Sequence, residues 1–264
     1  MANDSIVDHF DRYFEMVPAI SNELKNEVYK LRYQVYCIEN NFESSKEFPD
    51  EMEFDDYDQY SVHYLIRHRR SGDYAATTRL ILPDANHPKK LFPLELHCEI
   101  DNFAVMQPIS RKHLGEVSRF CVSKDFKKRK NEEHTLAPVV SDFQDFVTRD
   151  EQRSFPHLTL ALIACFIKAS HENDIHYLYA SMEPTLFRFV SALGIKFTKI
   201  GPLVDYHGER WPAVIKIEDM LDGVAEKNPN IWNLITNKGF FLQARPIEKV
   251  SQGAIAVGRI NIPA

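Results

Sequence analysis

Between Leu158 and Ile167 the chain reads LTLALIACFI, apolar at every position except Thr159. Ten such residues are about half of what a bilayer crossing needs, so the segment must be covered by protein. The run and its flanks predict a helix over His157–His171 that is apolar nearly all round and therefore buried. The core helix of an α/β sheet is the arrangement that covers it.

The surrounding pattern agrees with a layered α/β chain. Ile6, Phe10, Tyr13, Phe14 and Val17 recur at helical steps until Pro18, and a second helix begins after Ser21, an N-cap residue type, with Leu24, Val28, Leu31, Val35 and Tyr36 on one face. His63–His68 and Tyr74–Leu82 read as strands joined by the turn at Arg70–Asp73. Gly115–Val122 (GEVSRFCV) reads as a strand covered on both faces, and residues 123–156 as irregular around one short helix. Strands follow at Ile175–Ala180, Lys196–Ile200 and Trp211–Ile217, with a helix over Pro184–Leu193 closed by Gly194. This order predicts one mixed sheet flanked by helices.

Composition narrows the class. With 264 residues, 44% of them hydrophobic, and no internal period, the chain is expected to build its own core and not a disordered or solenoid structure. The acidic start MANDSIVDHF lacks a basic n-region and an apolar h-region, which points to the cytoplasm. Cys37, Cys98, Cys121 and Cys165 are too scattered for a metal centre and are expected as reduced, buried thiols. A net charge of -6 opposes a nucleic-acid partner. The charge is divided: residues 39–58 hold nine acids against Lys46, and residues 124–130 hold five bases against Asp125.

The element order, with GEVSRFCV leading through a loop toward a buried helix, resembles the GNAT acyltransferase fold, an α/β architecture with one mixed, mostly antiparallel sheet flanked by helices. Individual residues sharpen the likeness. Arg32-x-x-x-Tyr36, then Phe42, then Glu53-x-Asp55-x-x-Asp58, then Arg79 in ATTRLIL and Glu116-x-x-Arg119 resemble, in order and spacing, the acyl-homoserine-lactone synthases. The stretches LFPLELHCEI, LYASMEPTLFRFVSALGIKFTKIGP and VDYHGERWPAVIKI are most similar to long-chain N-acyl amino acid synthases and to acyltransferases associated with exosortase/PEP-CTERM gene clusters. The likeness covers roughly residues 20–222; it implies one acyltransferase domain over 1–222, with 223–264 as a C-terminal extension of unassigned role.

The resemblance implies an acyl thioester as cosubstrate, on acyl carrier protein or CoA, with no tightly bound cofactor and no metal, and a small amine as acceptor. A true lactone synthase would use S-adenosylmethionine, and a non-catalytic module would bind acyl groups or a carrier without turnover. Two departures stand out. The loop SKDFKKRKNEEH has no glycine where acetyltransferases cradle a pyrophosphate. Val190 occupies the position, four before Gly194, where many of them carry a Tyr as leaving-group acid.

Acyl transfer to an amine needs a neutral nitrogen, an oxyanion donor and a groove that positions both partners. Glu116 is the candidate proton acceptor, or else an ion-pair partner of Arg119 or Arg79. The resemblance places a backbone oxyanion donor at Val122 and puts Arg32, Tyr36, Phe42, Arg79 and Arg119 around the substrates. The residue types themselves favour Arg79 and Arg119 as scaffold paired to Asp55 and Asp58, and Arg32 as an exposed helix residue. Lys124, Lys127, Lys128 and Arg129 are expected to draw a phosphate-bearing donor or an acidic carrier. Leu186, Phe187, Phe189 and Leu193 supply apolar surface for an acyl chain. His97 and Cys98, read as neighbours on a strand, would face opposite ways.

Overall fold

A computed structural model describes residues 6–126 and 155–243. Helix α1 (Ile6–Tyr13) ends sooner than its period suggests, because Phe14–Pro18 is strand β1 and pairs antiparallel with residues 64–68. Helix α2 (Asn22–Arg32) starts where expected: the Ser21 hydroxyl accepts the Leu24 N–H at 3.3 Å. It widens into a π-helical segment, Tyr33–Glu39, which buries Val35, Tyr36 and Cys37. Such segments are rare and concentrate at functional sites. The acidic stretch follows as a loop with short 3₁₀ turns at Ser45–Glu47 and Asp58–Tyr60.

Strands β2 (Ser61–His68) and β3 (Tyr74–Ile81) form the expected hairpin. Pro93–His97 is a short helix, α3, rather than part of a strand. Pro93 pre-sets its first turn, and the Glu95 carboxylate accepts the Phe92 N–H at 2.8 Å. The strand argument that separated His97 from Cys98 therefore does not apply. Helix α4 (Phe103–Met106) and strand β4 (Leu114–Val122) come next.

Helix α5 spans Phe155–Glu172 and is buried nearly all round, as its composition requires, because β2–β4 cover one side and a C-terminal helix the other. Then come β5 (Tyr177–Met182), α6 (Pro184–Ala192), β6 (Thr198–Lys199), β7 (Val204–Asp205) and β8 (Glu209–Lys216). The strand expected at 196–200 shrinks to two residues. Helices α7 (Ile217–Lys227) and α8 (Pro229–Thr236) close the described fold.

The sheet order is β1-β2-β3-β4-β5-β8-β6, with β7 on β8; β4 and β5 are parallel and every other pair is antiparallel. The expected mixed, mostly antiparallel sheet is present. One face packs on α5, α6 and the terminal helices; the other carries α2, α3 and the acidic segment. The domain boundary expected after residue 222 falls inside α7. Met220, Val224, Ile231, Leu234 and Ile235 are buried in the same core as α5, so the described part of the tail completes the domain instead of extending it.

Gly194 ends α6 at φ +101°, and a Cβ there would lie 2.2 Å from the Gly223 carbonyl oxygen in α7. Gly194→Ala is expected to cost about 1–3 kcal/mol from backbone strain, with the clash in addition. A thermal melt unchanged from wild type would refute this close approach.

Candidate active site

Two parallel strands leave their carboxyl ends on the same side of a sheet, and the site lies there. Strands β4 and β5 pair from Leu114↔Tyr177 to Val117↔Ala180 and then separate. A cavity of about 350 Å³ opens in the gap, bordered by Val117–Phe120 on one strand and Ala180–Glu183 beyond the other. It reaches both faces of the sheet. On the α5–α6 face its wall is Ile163, Phe166, Leu186, Val190 and Phe197. On the opposite face it meets Asp55, Asp56, Tyr57, His97, Glu116 and Tyr206.

A departure from regular strand geometry shapes the gap. Residues three apart on a flat strand face opposite ways, yet Glu116, Ser118 and Arg119 all line the cavity. The register between β3 and β4 shifts after Arg79↔Ser118, and Arg119 adopts φ +49°. This bulge aims the Arg119 side chain at the acidic segment.

Three guanidinium groups and three carboxylates then lock together. Arg32, wholly buried, donates from Nε to Glu53 at 2.5 Å and from Nη1 to Asp58 at 2.6 Å. Arg79 donates from Nη1 to Asp55 at 2.6 Å and to Asp58 at 2.8 Å, and from Nε to the Ser118 hydroxyl at 2.9 Å. Arg119 reaches Glu53 at 2.8 Å and Asp55 at 3.3 Å, and its guanidinium lies 5.1 Å from the Tyr36 ring centre. Burial works against ionising Glu53 and Asp58, but the arginines prevail: Glu53 is lowered to about 2, and Asp58 is also held low. Burial, with Arg32 and Arg79 close by, lowers His63 to about 4 despite Asp58.

Glu116 behaves in the opposite way. It is 4% exposed, forms no ion pair with a described residue, and accepts the Leu94 N–H at 3.0 Å. Burial pushes its carboxyl up to about 7, outweighing that hydrogen bond and the pull of Arg79. A carboxyl near neutrality beside a cavity is suited to proton transfer.

Residues 31–137 match the acetyltransferase (GNAT) domain family. The chain has the GNAT fold, and the family match covers about two fifths of its length. No curated protein matches the chain by sequence. Among solved structures, the AHL synthase LasI is 19% identical over 76% of this chain and 88% of its own, with a TM-score of 0.50. BjaI, a CoA-dependent acyl-homoserine lactone synthase solved with SAM and isopentyl-CoA, is 18% identical over 81% of this chain and 88% of its own, at 0.51. FeeM, an N-acyl amino acid synthase from uncultured soil microbes, is 16% identical over 81% of this chain and 96% of its own, at 0.47.

Within this fold the residues singled out in the sequence divide into groups. Tyr36, Asp55, Arg79, Glu116 and Arg119 line the cavity. Glu116 pairs with neither Arg79 nor Arg119, although the sequence allowed both. Asp58 sits behind the wall with Arg32, whose burial contradicts the exposed-helix expectation: its carboxylate partners arrive from 21 and 26 residues away and replace the water it loses. Phe42 borders a neighbouring groove, its ring 6.3 Å from Tyr36 and 6.0 Å from His207. Val122 is fully buried opposite Ala76 and does not line the cavity; the β4 backbone that does is Val117–Phe120.

Lys124 is exposed, and its backbone N–H donates to Glu39 at 3.0 Å. Lys127, Lys128 and Arg129 lie outside the described residues. Of the proposed acyl-chain residues, Leu186 lines the cavity, whereas Phe189 and Leu193 are packed in the core. Glu53 was legible as part of the acidic motif but was not placed at the site. Asp56 and Tyr206 carried no sequence signal for it, and His97, a candidate beside Cys98, was set aside on the strand argument; the His97 and Tyr206 rings stack at 4.5 Å.

Among the described residues, His113, Asp174 and His176 bring possible metal-ligand atoms within 4.8 Å of one another. They lie at the amino ends of β4 and β5, away from the gap, and their polar atoms pair with one another. No helix of the described residues is long and apolar enough to cross a membrane.

Proposed function

We propose that this domain transfers a medium- or long-chain fatty acyl group from an acyl thioester, on acyl carrier protein or CoA, to the amine of an amino acid or similar small acceptor. One observation carries the reading: a single cavity passes through the sheet at the β4–β5 gap, with an apolar wall on one face and Glu116 on the other. The acyl chain lies against Phe166, Leu186 and Val190, and the thioester carbonyl sits in the gap. Glu116 takes a proton from the acceptor ammonium, directly or through water; the neutral nitrogen attacks, the C–N bond forms, and the C–S bond breaks. In this reading backbone N–H groups of the cavity-lining stretch Val117–Phe120, rather than that of Val122, receive the oxyanion. The thiolate departs and takes up the proton that Glu116 received, directly or through water, and the nitrogen of the tetrahedral intermediate loses its remaining extra proton to solvent. The likeness to BjaI, a CoA-dependent enzyme whose structure holds isopentyl-CoA, supports CoA as one donor class.

The test is thiol release from donors of two to sixteen carbons with a panel of amines. Longer donors are expected to react, and Val190→Phe, which intrudes on the apolar wall, is expected to shift the preference to shorter chains by about tenfold or more, since each buried methylene is worth about 0.8 kcal/mol. No thiol from any pair would remove the reading. The fold shared with LasI and BjaI supports a second reading, a lactone synthase acting on S-adenosylmethionine; methylthioadenosine release would identify it.

A further inference from the structure

Among the described residues three cations border the cavity, and each has a carboxylate partner. Arg79 is held by Asp55, Asp58 and Ser118. Arg119 is held by Glu53 and Asp55, with Glu43 at 3.7 Å. Arg210 donates to the carbonyls of Tyr206 and His207 at 3.0 and 2.8 Å and lies 3.4 Å from Glu183. Just outside the lining, the Lys90 ammonium sits over the rings of Tyr60 and Tyr57. Among the described residues four carboxylates line the same cavity: Asp55, Asp56, Glu116 and Glu183. Two of them, Asp56 and Glu116, form no ion pair with a described residue, and Asp56 stands exposed at the rim.

An acceptor entering from this face meets two carboxylates without a cation among the described residues, and guanidinium groups whose charge is already matched by carboxylates. An α-carboxylate would be desolvated beside Asp56 and Glu116, and its attraction to Arg79 or Arg119 would be offset by the carboxylates already paired with those groups. A second ammonium, by contrast, gains Asp56 as a partner at low cost.

Resting on the acyl-transfer reading and narrowing it, we infer that the preferred acceptor is a primary amine without an α-carboxylate, of the diamine class, its far ammonium paired with Asp56 while the near nitrogen reacts beside Glu116. The wall then selects by charge. It repels amino acids from a site that an amine of the same skeleton enters readily.

Matched pairs test this, because they differ only in the carboxylate: cadaverine against lysine and tyramine against tyrosine, with one acyl donor held fixed. The decarboxylated partner is expected to have a kcat/KM at least about tenfold higher, a difference of about 1.4 kcal/mol, and the gap should narrow as ionic strength rises. Asp56→Asn should raise KM for cadaverine severalfold, hold kcat, and erase the preference for cadaverine over pentylamine. Lysine and tyrosine used as well as or better than their amines would overturn the inference while leaving acyl transfer standing. If no amine is acylated, the acyl-transfer reading falls. Calorimetric titration of cadaverine and lysine into the protein then decides the acceptor question alone: tighter cadaverine binding upholds it, and equal or tighter lysine binding ends it.

Discussion

Glu116→Gln is expected to lower kcat by about a hundredfold or more while making the folded protein more stable above pH 7. The first effect follows from the role of a positioned base, which typically contributes about 10²–10⁴. Gln keeps the size of Glu and can still accept the Leu94 N–H, but it cannot take a proton from the acceptor. The second effect follows from linkage. Burial raises the carboxyl from 4.5 to about 7, so the folded state binds a proton that the unfolded state releases between these values. Stability from this group is full below pH 4.5, declines as pH rises, and is spent above 7. At pH 8 the wild type carries a buried, unpaired charge that the variant lacks. The variant should gain on the order of 1–3 kcal/mol in urea unfolding at pH 8 and little at pH 5. Wild-type turnover should rise with an apparent midpoint near 7, and the variant should lose that limb. A stabilised variant with wild-type turnover would take Glu116 out of the chemistry.

Arg32→Ala is expected to destabilise the domain by about 3–5 kcal/mol at pH 7, the cost of leaving buried charges without their partner. Among the described residues Arg32 alone bridges Glu53 to Asp58, and through them it fixes Arg79 and Arg119. Arg32→Lys should recover only part of the loss, since one ammonium cannot present two divergent N–H groups to two carboxylates. Here the pH dependence runs the other way. The folded-state pKa of Glu53 is depressed from 4.5 to about 2 and that of Asp58 is also depressed, so their contribution is present above 4.5 and is lost as pH falls toward 2. The gap between wild type and Arg32→Ala should therefore shrink in acid, where the wild type itself gives way. Equal stability of the two proteins at pH 7 would show that the network contributes nothing net.

Features that depend on near neighbours were legible in the chain. Ser21 caps α2 because its hydroxyl needs only a turn that begins beside it. The run at Leu158–Ile167 announces a helix covered on every side, and the structure covers it. Glu116, a carboxyl on a strand with both faces buried, was conspicuous because such a group needs a reason to be there. The acidic motif from Glu53 to Asp58 and the arginines at 32, 79 and 119 were visible as charges that had to be matched.

Which charge meets which was a different matter. Arg32 looked like a surface residue because the sequence around it is helical and polar; only the return of the chain at Glu53 and Asp58 makes its burial tolerable. The bulge at Arg119 has no glycine to signal it, since the register shift against β3 is imposed by pairing over about forty residues of chain. Phe14–Pro18 continues a helical period and nevertheless becomes a strand, because β2 offers it a ladder. Tyr206 and His97 come together from segments about a hundred residues apart in the chain. Periodicity, caps and burial pressure act within a few residues and so belong to the sequence; ion-pair partners, strand register and the opening between β4 and β5 are set by segments far apart in the chain, whose contacts exist only once the topology has closed.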